Sequence, residues 1–497
     1  MILAQRVGNE CAFNEMSFDK EFLKFKDGFV WGAATSAYQI EGSANSGGRG
    51  LSVWDTFCQG HGHILRGEDG SIACDHVNRL EEDLDLMALL GLQAYRFSIS
   101  WSRVLPNGVG SVNEEGLLFY DRLIDGLLER DIEPYLTMFH WDFPQALQDR
   151  GGWLNPDVVN WFGEYAEILC SRYSDRVSKW FTLNEPPCFL GLGHKDGKHA
   201  PGLQLSWPEF FLTVKHALMA HGNAVRTLRE YAELGPRIGY VPISHIGIPA
   251  TESSSDLAAA KEFTFGTPSL DRGYWFSRLY LDPVVLGEWP EECLAVFTNE
   301  YPQMTVSERR LVSSEIDFLG LNFYSAPIVK ADHDGKPVVL PQPPGSPRTT
   351  FDWPITEDGM YWSVRFHEER YGLPMMIAEN GMSGLDWVTE SGNVPDHGRI
   401  DFLSRYLRSL HRAWQENYQI DGYFHWSLMD NFEWAEGYKH RFGLIHVDFE
   451  TQKRTVKDSG YWFKDVIRAN GLPRKPQSQL SSPGYSTDFE AAKRKAQ

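Results

Sequence analysis

Trp180-Phe181-Thr182-Leu183-Asn184-Glu185-Pro186 is a run of aromatic, β-branched and aliphatic residues that stops on an amide, a carboxylate and a proline. It reads as a buried strand that delivers Glu185 to its end. Proline offers no N–H to a ladder and disfavours the helical region for the residue before it, so pairing is expected to stop at Glu185 with that residue extended. Met375-Met376-Ile377-Ala378-Glu379-Asn380-Gly381 follows the same plan: a short apolar strand, a carboxylate at its end, and Asn-Gly for the turn.

Working outward, strand-like runs recur at 29–35, 94–98, 134–139, 180–185, 238–242, 318–324, 375–379 and 423–428. Helical periodicity separates many of them. Leu80, Leu84, Met87 and Leu90 share a face that Gly91 would cap, and Leu117, Tyr120, Ile124 and Leu128 share another. Asn155-Pro156 opens a stretch carrying Val158, Phe162, Tyr165 and Leu169; residues 210–231 read as a long helix, and Phe402, Tyr406, Leu410 and Trp414 mark a further one. Eight strands alternating with helices predict an α/β fold, a single (β/α)8 barrel with long βα loops, whose chemistry belongs at the carboxyl ends of the strands. The Gly- and Ser-rich residues 42–75 are expected as an ordered loop over that end, and the Pro- and Gly-rich residues 331–348 as a mobile loop near the site mouth. The expected organisation is an N-terminal extension at 1–20, the barrel at 21–473, and a disordered tail at 474–497 that is rich in Ser, Pro, Lys and Gln.

At 497 residues, 42% hydrophobic and 23% charged, the chain can bury a large core, and a formal net charge of −20 disfavours nucleic acid, anionic membranes and phosphorylated ligands. Neutral small molecules are the expected partners. No signal sequence or membrane span is legible, so a cytoplasmic protein is expected. The six cysteines (Cys11, Cys58, Cys74, Cys170, Cys188 and Cys293) lack metal-site spacing; Cys58 and Cys74 flank one loop and could pair, although free thiols are the favoured reading. No His/Asp cluster stands at ligand spacing, and neither metal nor cofactor is expected.

Two carboxylates at strand ends facing one site are what cleavage of a glycosidic bond requires, one to protonate the leaving oxygen and one to meet the positive charge developing on the sugar carbon. Further polar and aromatic residues fall at the same predicted end: Gln39, Arg96, His140 with Trp141, Asn184, Asn322 with Tyr324, Trp426, and the run Asp430-Asn431-Phe432-Glu433-Trp434. Neutral sugars are held by amides, carboxylates and imidazole at their hydroxyls and by aromatic faces at their C–H surfaces. Each of these residues taken alone also fits a structural role, such as a core histidine or tryptophan.

Thr182-Leu183-Asn184-Glu185-Pro186 and Ile377-Ala378-Glu379-Asn380-Gly381 resemble the two signature carboxylate motifs of the family 1 glycoside hydrolases; the second is usually written with Thr where this chain has Ala378. The resemblance runs from about 22 to about 473. It implies a retaining β-glycosidase of β-glucosidase type, with Glu379 as nucleophile and Glu185 as acid/base. It also implies that Gln39, His140, Asn184, Glu433 and Trp434 bind glycone hydroxyls, that Trp426 lies beneath the ring, that Arg96 and Tyr324 hold the nucleophile, and that Trp353 stacks on the aglycone. Unphosphorylated β-D-glucosides are the expected substrates, with β-D-fucosides and β-D-galactosides secondary. A silent sugar-binding barrel would lack one carboxylate, and a thioglucosidase would carry Gln at position 185; this chain keeps both Glu185 and Glu379.

Overall fold

The computed structural model describes residues 22–474. The extension expected at 1–20 and the tail expected from 474, apart from Arg474 itself, lie outside the described residues. Eight parallel strands close a barrel: β1 Val30–Ala34, β2 Ala94–Ser98, β3 Glu133–Phe139, β4 Lys179–Asn184, β5 Arg237–Val241, β6 Phe318–Asn322, β7 Met375–Asn380 and β8 Ile420–Trp426. Each pairs with its sequence neighbours, and β8 returns to β1 to complete the ring. Every expected strand is present with its boundaries shifted by a few residues.

The principal helices are α1 Leu80–Leu90, α2 Glu114–Leu128, α3 Val158–Tyr173, α4 Trp207–Tyr231, α5 Ser254–Phe265, α6 Asp358–Tyr371, α7 His397–Gln415 and α8 Asp458–Ala469. Gly91 ends α1 at φ +71°, a left-handed cap that glycine adopts without the Cβ penalty. The apolar faces of these helices cover the outside of the barrel. The barrel interior is filled by residues such as Tyr135, Phe181, Phe318, Met376 and Phe424, with Tyr135 and Phe424 reaching across from β3 and β8 to ring centroids 4.9 Å apart. A Cβ on Gly32 would stand 2.5 Å from the Phe424 ring, so the glycine makes room for an aromatic from the neighbouring strand. Interior packing of this kind closes the barrel and leaves the strand ends as the place for a cavity.

Two loops have local structure. Within 42–75, Val53–Cys58 forms a short helix with a Ser52–Asp55 capping box, and Arg49 pairs with Asp55 at 2.8 Å, so this loop is held over the barrel as expected. The stretch 331–348, expected as a loop, is in part a β-hairpin: Pro337–Val339 pairs antiparallel with Ile328–Ala331, which also runs beside Ile248–Pro249. The β-branched residues on each arm and Gly335 at φ +80° in the turn account for it. None of residues 331–348 lines the cavity described below. Cys58 and Cys74 are both free: the Cys58 thiol is 3.6 Å from Tyr38 Oη, and Cys74 donates to the Asp430 carbonyl at 3.1 Å. Among the described residues no helix is long and apolar enough to cross a membrane.

Candidate active site

A cavity of about 890 Å³ opens at the carboxyl ends of the strands, and His140, Trp141, Glu185, Tyr324, Trp353, Glu379, Trp426, Glu433 and Trp434 all contribute to its wall. Gln39, Arg96, Asn184 and Asn322 are fully buried behind that wall. The strands thus bring together every residue singled out from the sequence, in two layers.

Glu379 is held at both oxygens. Arg96 donates to Oε1 at 2.7 Å and Tyr324 Oη donates to Oε2 at 2.8 Å, an arrangement that an acceptor-only carboxylate satisfies. Burial, with the nearby Glu379 and Glu185 charges, pushes the Tyr324 phenol well above its ordinary value, so it remains a donor. Arg96, a donor at each of its guanidinium nitrogens, fixes the groups behind the wall. Its Nη2 donates to Asn184 Oδ1 at 2.7 Å, which leaves Asn184 Nδ2 as the donor to His140 Nε2 at 3.1 Å. His140 must then carry its proton on Nδ1, a buried N–H with no protein partner. Burial and the Arg96 charge hold the His140 imidazolium well below the usual range, which agrees with a neutral ring.

Asn322 continues the same chain. Its amide donates to Asn184 Oδ1 at 3.2 Å and to Glu185 Oε1 at 2.9 Å, so one buried polar network runs from Glu379 through Arg96, Asn184 and Asn322 to Glu185. Glu185 does not have the extended backbone expected from Pro186: its φ is +45°. The proline excludes the right-handed region for Glu185 but not this one, and the Glu185 N–H is retained by the Val241 carbonyl of β5 at 2.8 Å. Trp141 and Trp434 also have left-handed backbone, at φ +80° and +52°, so three residues of one cavity wall sit in a conformation that costs a non-glycine residue about 1 kcal/mol or more. Burial first, and the Glu379 charge second, push Glu185 up to about 7. The same two causes push Glu433 up to about 8. Glu185, Glu379 and Glu433 therefore share one cavity, and Arg96, buried behind the wall, is the cation that pairs with Glu379.

The aromatic walls divide by position. His140 stacks near-parallel with Trp426 and Trp434, at centroid distances of 5.5 and 6.1 Å, and Trp434 also meets Trp54 and Trp141 at 4.6 Å each. Gln39 donates to the Phe432 carbonyl at 2.8 Å and to Asn431 Oδ1 at 3.0 Å, pinning the run that carries Glu433 and Trp434. On the other side Trp353 packs on Tyr324 at 5.3 Å and on Phe351 at 4.6 Å, half-buried at the cavity's edge.

Sequence reading missed part of this wall: Cys188, Phe351, Phe442, His199 and residues 62–66 line it, and Trp54 supports it. Cys188 had a signal, because a helical turn after Glu185 puts the third residue back over it. The others come from loops without periodicity. Asp332, His333 and Asp334 cluster at the exposed hairpin turn and take no part in the cavity.

The profile of glycosyl hydrolase family 1 matches residues 22–472. The chain is 44% identical over 453 residues to the 1,4-beta-D-glucan glucohydrolase of Thermotoga neapolitana and, over the same number, to the Beta-glucosidase A of Thermotoga maritima, with 90% of this chain and 99% of each relative covered. The solved structure of the beta-glucosidase from Thermotoga maritima in complex with glucoimidazole superposes with a TM-score of 0.83 at 43% identity, covering 90% of this chain and 100% of that one. With its closed barrel, its paired strand-end carboxylates and these matches, the chain belongs to glycosyl hydrolase family 1 and is a glycosidase.

Proposed function

We propose that the chain hydrolyses unphosphorylated β-D-glucosides with retention, with β-D-galactosides and β-D-fucosides as secondary substrates. The observation that carries this reading is the unequal treatment of two carboxyl groups in one cavity. Glu379 accepts from Arg96 and Tyr324, whereas Glu185 is pushed up to about 7. Glu379 attacks the anomeric carbon while the Glu185 proton passes to the departing glycosidic oxygen. Capture of the sugar removes the Glu379 charge that helps to hold the proton on Glu185, which then accepts a proton from the attacking water. Glu379 is released and Glu185 is again protonated.

The glycone fits the inner half of the cavity. The Glu433 carboxyl holds two neighbouring hydroxyls, the His140 Nδ1–H donates to another, Trp426 lies against the ring, and Gln39, Asn184 and Asn322 orient these groups. Trp141 and Trp434 close the apolar side, and Trp353 faces the aglycone. No step calls for a metal or cofactor. The beta-glucosidase and 1,4-beta-D-glucan glucohydrolase relatives support the glucoside assignment, and a Thermotoga maritima relative is also known in complex with galacto-hydroximolactam, which supports tolerance at the 4-hydroxyl. Five buried cysteines held as thiols suit a reducing, cytoplasmic location. A panel of aryl β-glycosides tests the assignment. The glucoside should be cleaved, the galactoside and fucoside should follow within about 1 to 3 kcal/mol in kcat/KM, and the 6-phosphoglucoside should be the poorest; a preferred phosphorylated substrate would refute it.

A further inference from the structure

Beyond Glu185 itself, the turn that follows it carries a side chain that the mechanism has not used. Pro186 and Pro187 lead into a helical segment, Pro187–Lys195, and since neither proline has an N–H, the first backbone donor of that segment belongs to Cys188. The Cys188 N–H donates to the Glu185 carbonyl at 2.9 Å, and its thiol, buried in the cavity wall, stands 3.1 Å from Glu185 Oε2. The other oxygen, Oε1, is the one that Asn322 holds.

We propose that Cys188 is a positioning residue for the acid/base carboxyl: its S–H donates to Glu185 Oε2, fixes the plane of the carboxyl against Asn322, and supports its ionised form in the hydrolytic half-reaction. The inference rests on the assignment of Glu185 as acid/base. Two donors on two different oxygens prevent rotation of the carboxyl group, and each oxygen keeps a second lone-pair direction for its own proton or for substrate. The thiol keeps its proton throughout. Burial and the adjacent Glu185 charge push Cys188 well above the usual thiol range, so beside this carboxylate it is a donor and not a nucleophile. Its effect is opposite in sign to burial and to Glu379: a donor favours the charged carboxylate, whereas both of the others favour the neutral acid. Cys188 and Asn322 thus keep Glu185 within reach of both of its protonation states.

The experiment is a pH–rate profile of C188A and C188S beside the unmodified enzyme and E185A. Losing the donor should move the alkaline limb of kcat/KM upward by roughly half a pH unit, and the stronger O–H donor of serine should bring it below its original position. With an activated aryl glucoside, whose turnover is limited by the hydrolytic half-reaction, kcat of C188A should fall about three- to tenfold, with partial recovery in C188S. A merely structural cysteine would lower activity equally at all pH values and leave the limb where it was; that result overturns the proposal. If C188A does not fold, a downward displacement of the limb in C188S carries the test alone, and a limb unmoved there counts against it. E185A separates the two levels. A limb that persists without Glu185 refutes the acid/base assignment, whereas a limb that vanishes in E185A yet ignores both Cys188 variants refutes only the role of Cys188.

Discussion

Glu379 gives both of its oxygens to Arg96 and Tyr324, so Glu379→Gln keeps the shape of the site while removing the charge that attacks in the proposed mechanism. Its kcat should fall by about four orders of magnitude or more with the melting temperature little changed, measured by steady-state kinetics and thermal unfolding. In the same proposed mechanism Glu185 must instead be protonated when the first bond breaks. Because its folded value is raised to about 7, kcat/KM for a poor leaving group should decline as pH rises through that value. The same shift has a sign for stability. A carboxyl raised on folding contributes stability that is fully present below its unfolded value and is lost as pH rises through about 7, so Glu185→Gln should melt higher than the unmodified enzyme above pH 7 and lose that advantage in acid. In the proposed glycone pocket Glu433→Gln exchanges one of two carboxyl oxygens for an NH2 group, which should weaken glucoside turnover by about 10- to 100-fold in kcat/KM; an unchanged value would remove Glu433 from the glycone pocket.

At the scale of elements, strands ending in a carboxylate were legible because strand chemistry is local: apolar runs, then Glu185-Pro186 and Glu379-Asn380-Gly381. The outer wall was not. Phe351, Phe442, His199 and residues 62–66 sit on long loops whose course depends on tertiary anchors such as the Thr350–His440 contact at 2.9 Å. Trp353 was reachable only by resemblance, and its partners Phe351 and Tyr324 emerged with the fold. Since it borders the cavity and touches neither carboxylate through a hydrogen bond, Trp353→Ala should raise KM for aryl and disaccharide substrates and spare small alkyl glucosides. A uniform loss would mark it as packing. The loops after β7 and β8 share one further anchor: Lys457, fully buried, reaches Asp386 at 2.5 Å and Asp430 at 2.6 Å, and Arg441 holds Asp430 from the other side at 2.7 Å. Lys457→Met would leave Asp386 dependent on Arg399, and Asp430 on Arg441 and the Gly443 N–H, which should cost about 3 to 5 kcal/mol in a denaturant titration.

Across the whole molecule, acidity and chemistry agree. A chain of net charge −20 is an unfavourable partner for a phosphorylated sugar, and the Glu185, Glu379 and Glu433 carboxyl groups of the cavity wall suit the hydroxyls of a neutral one. The barrel places Glu185 and Glu379 at two strand ends in one cavity wall, and for one carboxylate to attack while the other donates the expected separation is about 5 to 5.5 Å, too little for a water between them. Retention of configuration is the direct consequence. The decisive measurement is therefore the proton NMR spectrum of the sugar released in the first minutes of aryl β-D-glucoside hydrolysis, before mutarotation. The account predicts that β-D-glucose appears first and the α-anomer grows in later; initial release of α-D-glucose would contradict double displacement through Glu379.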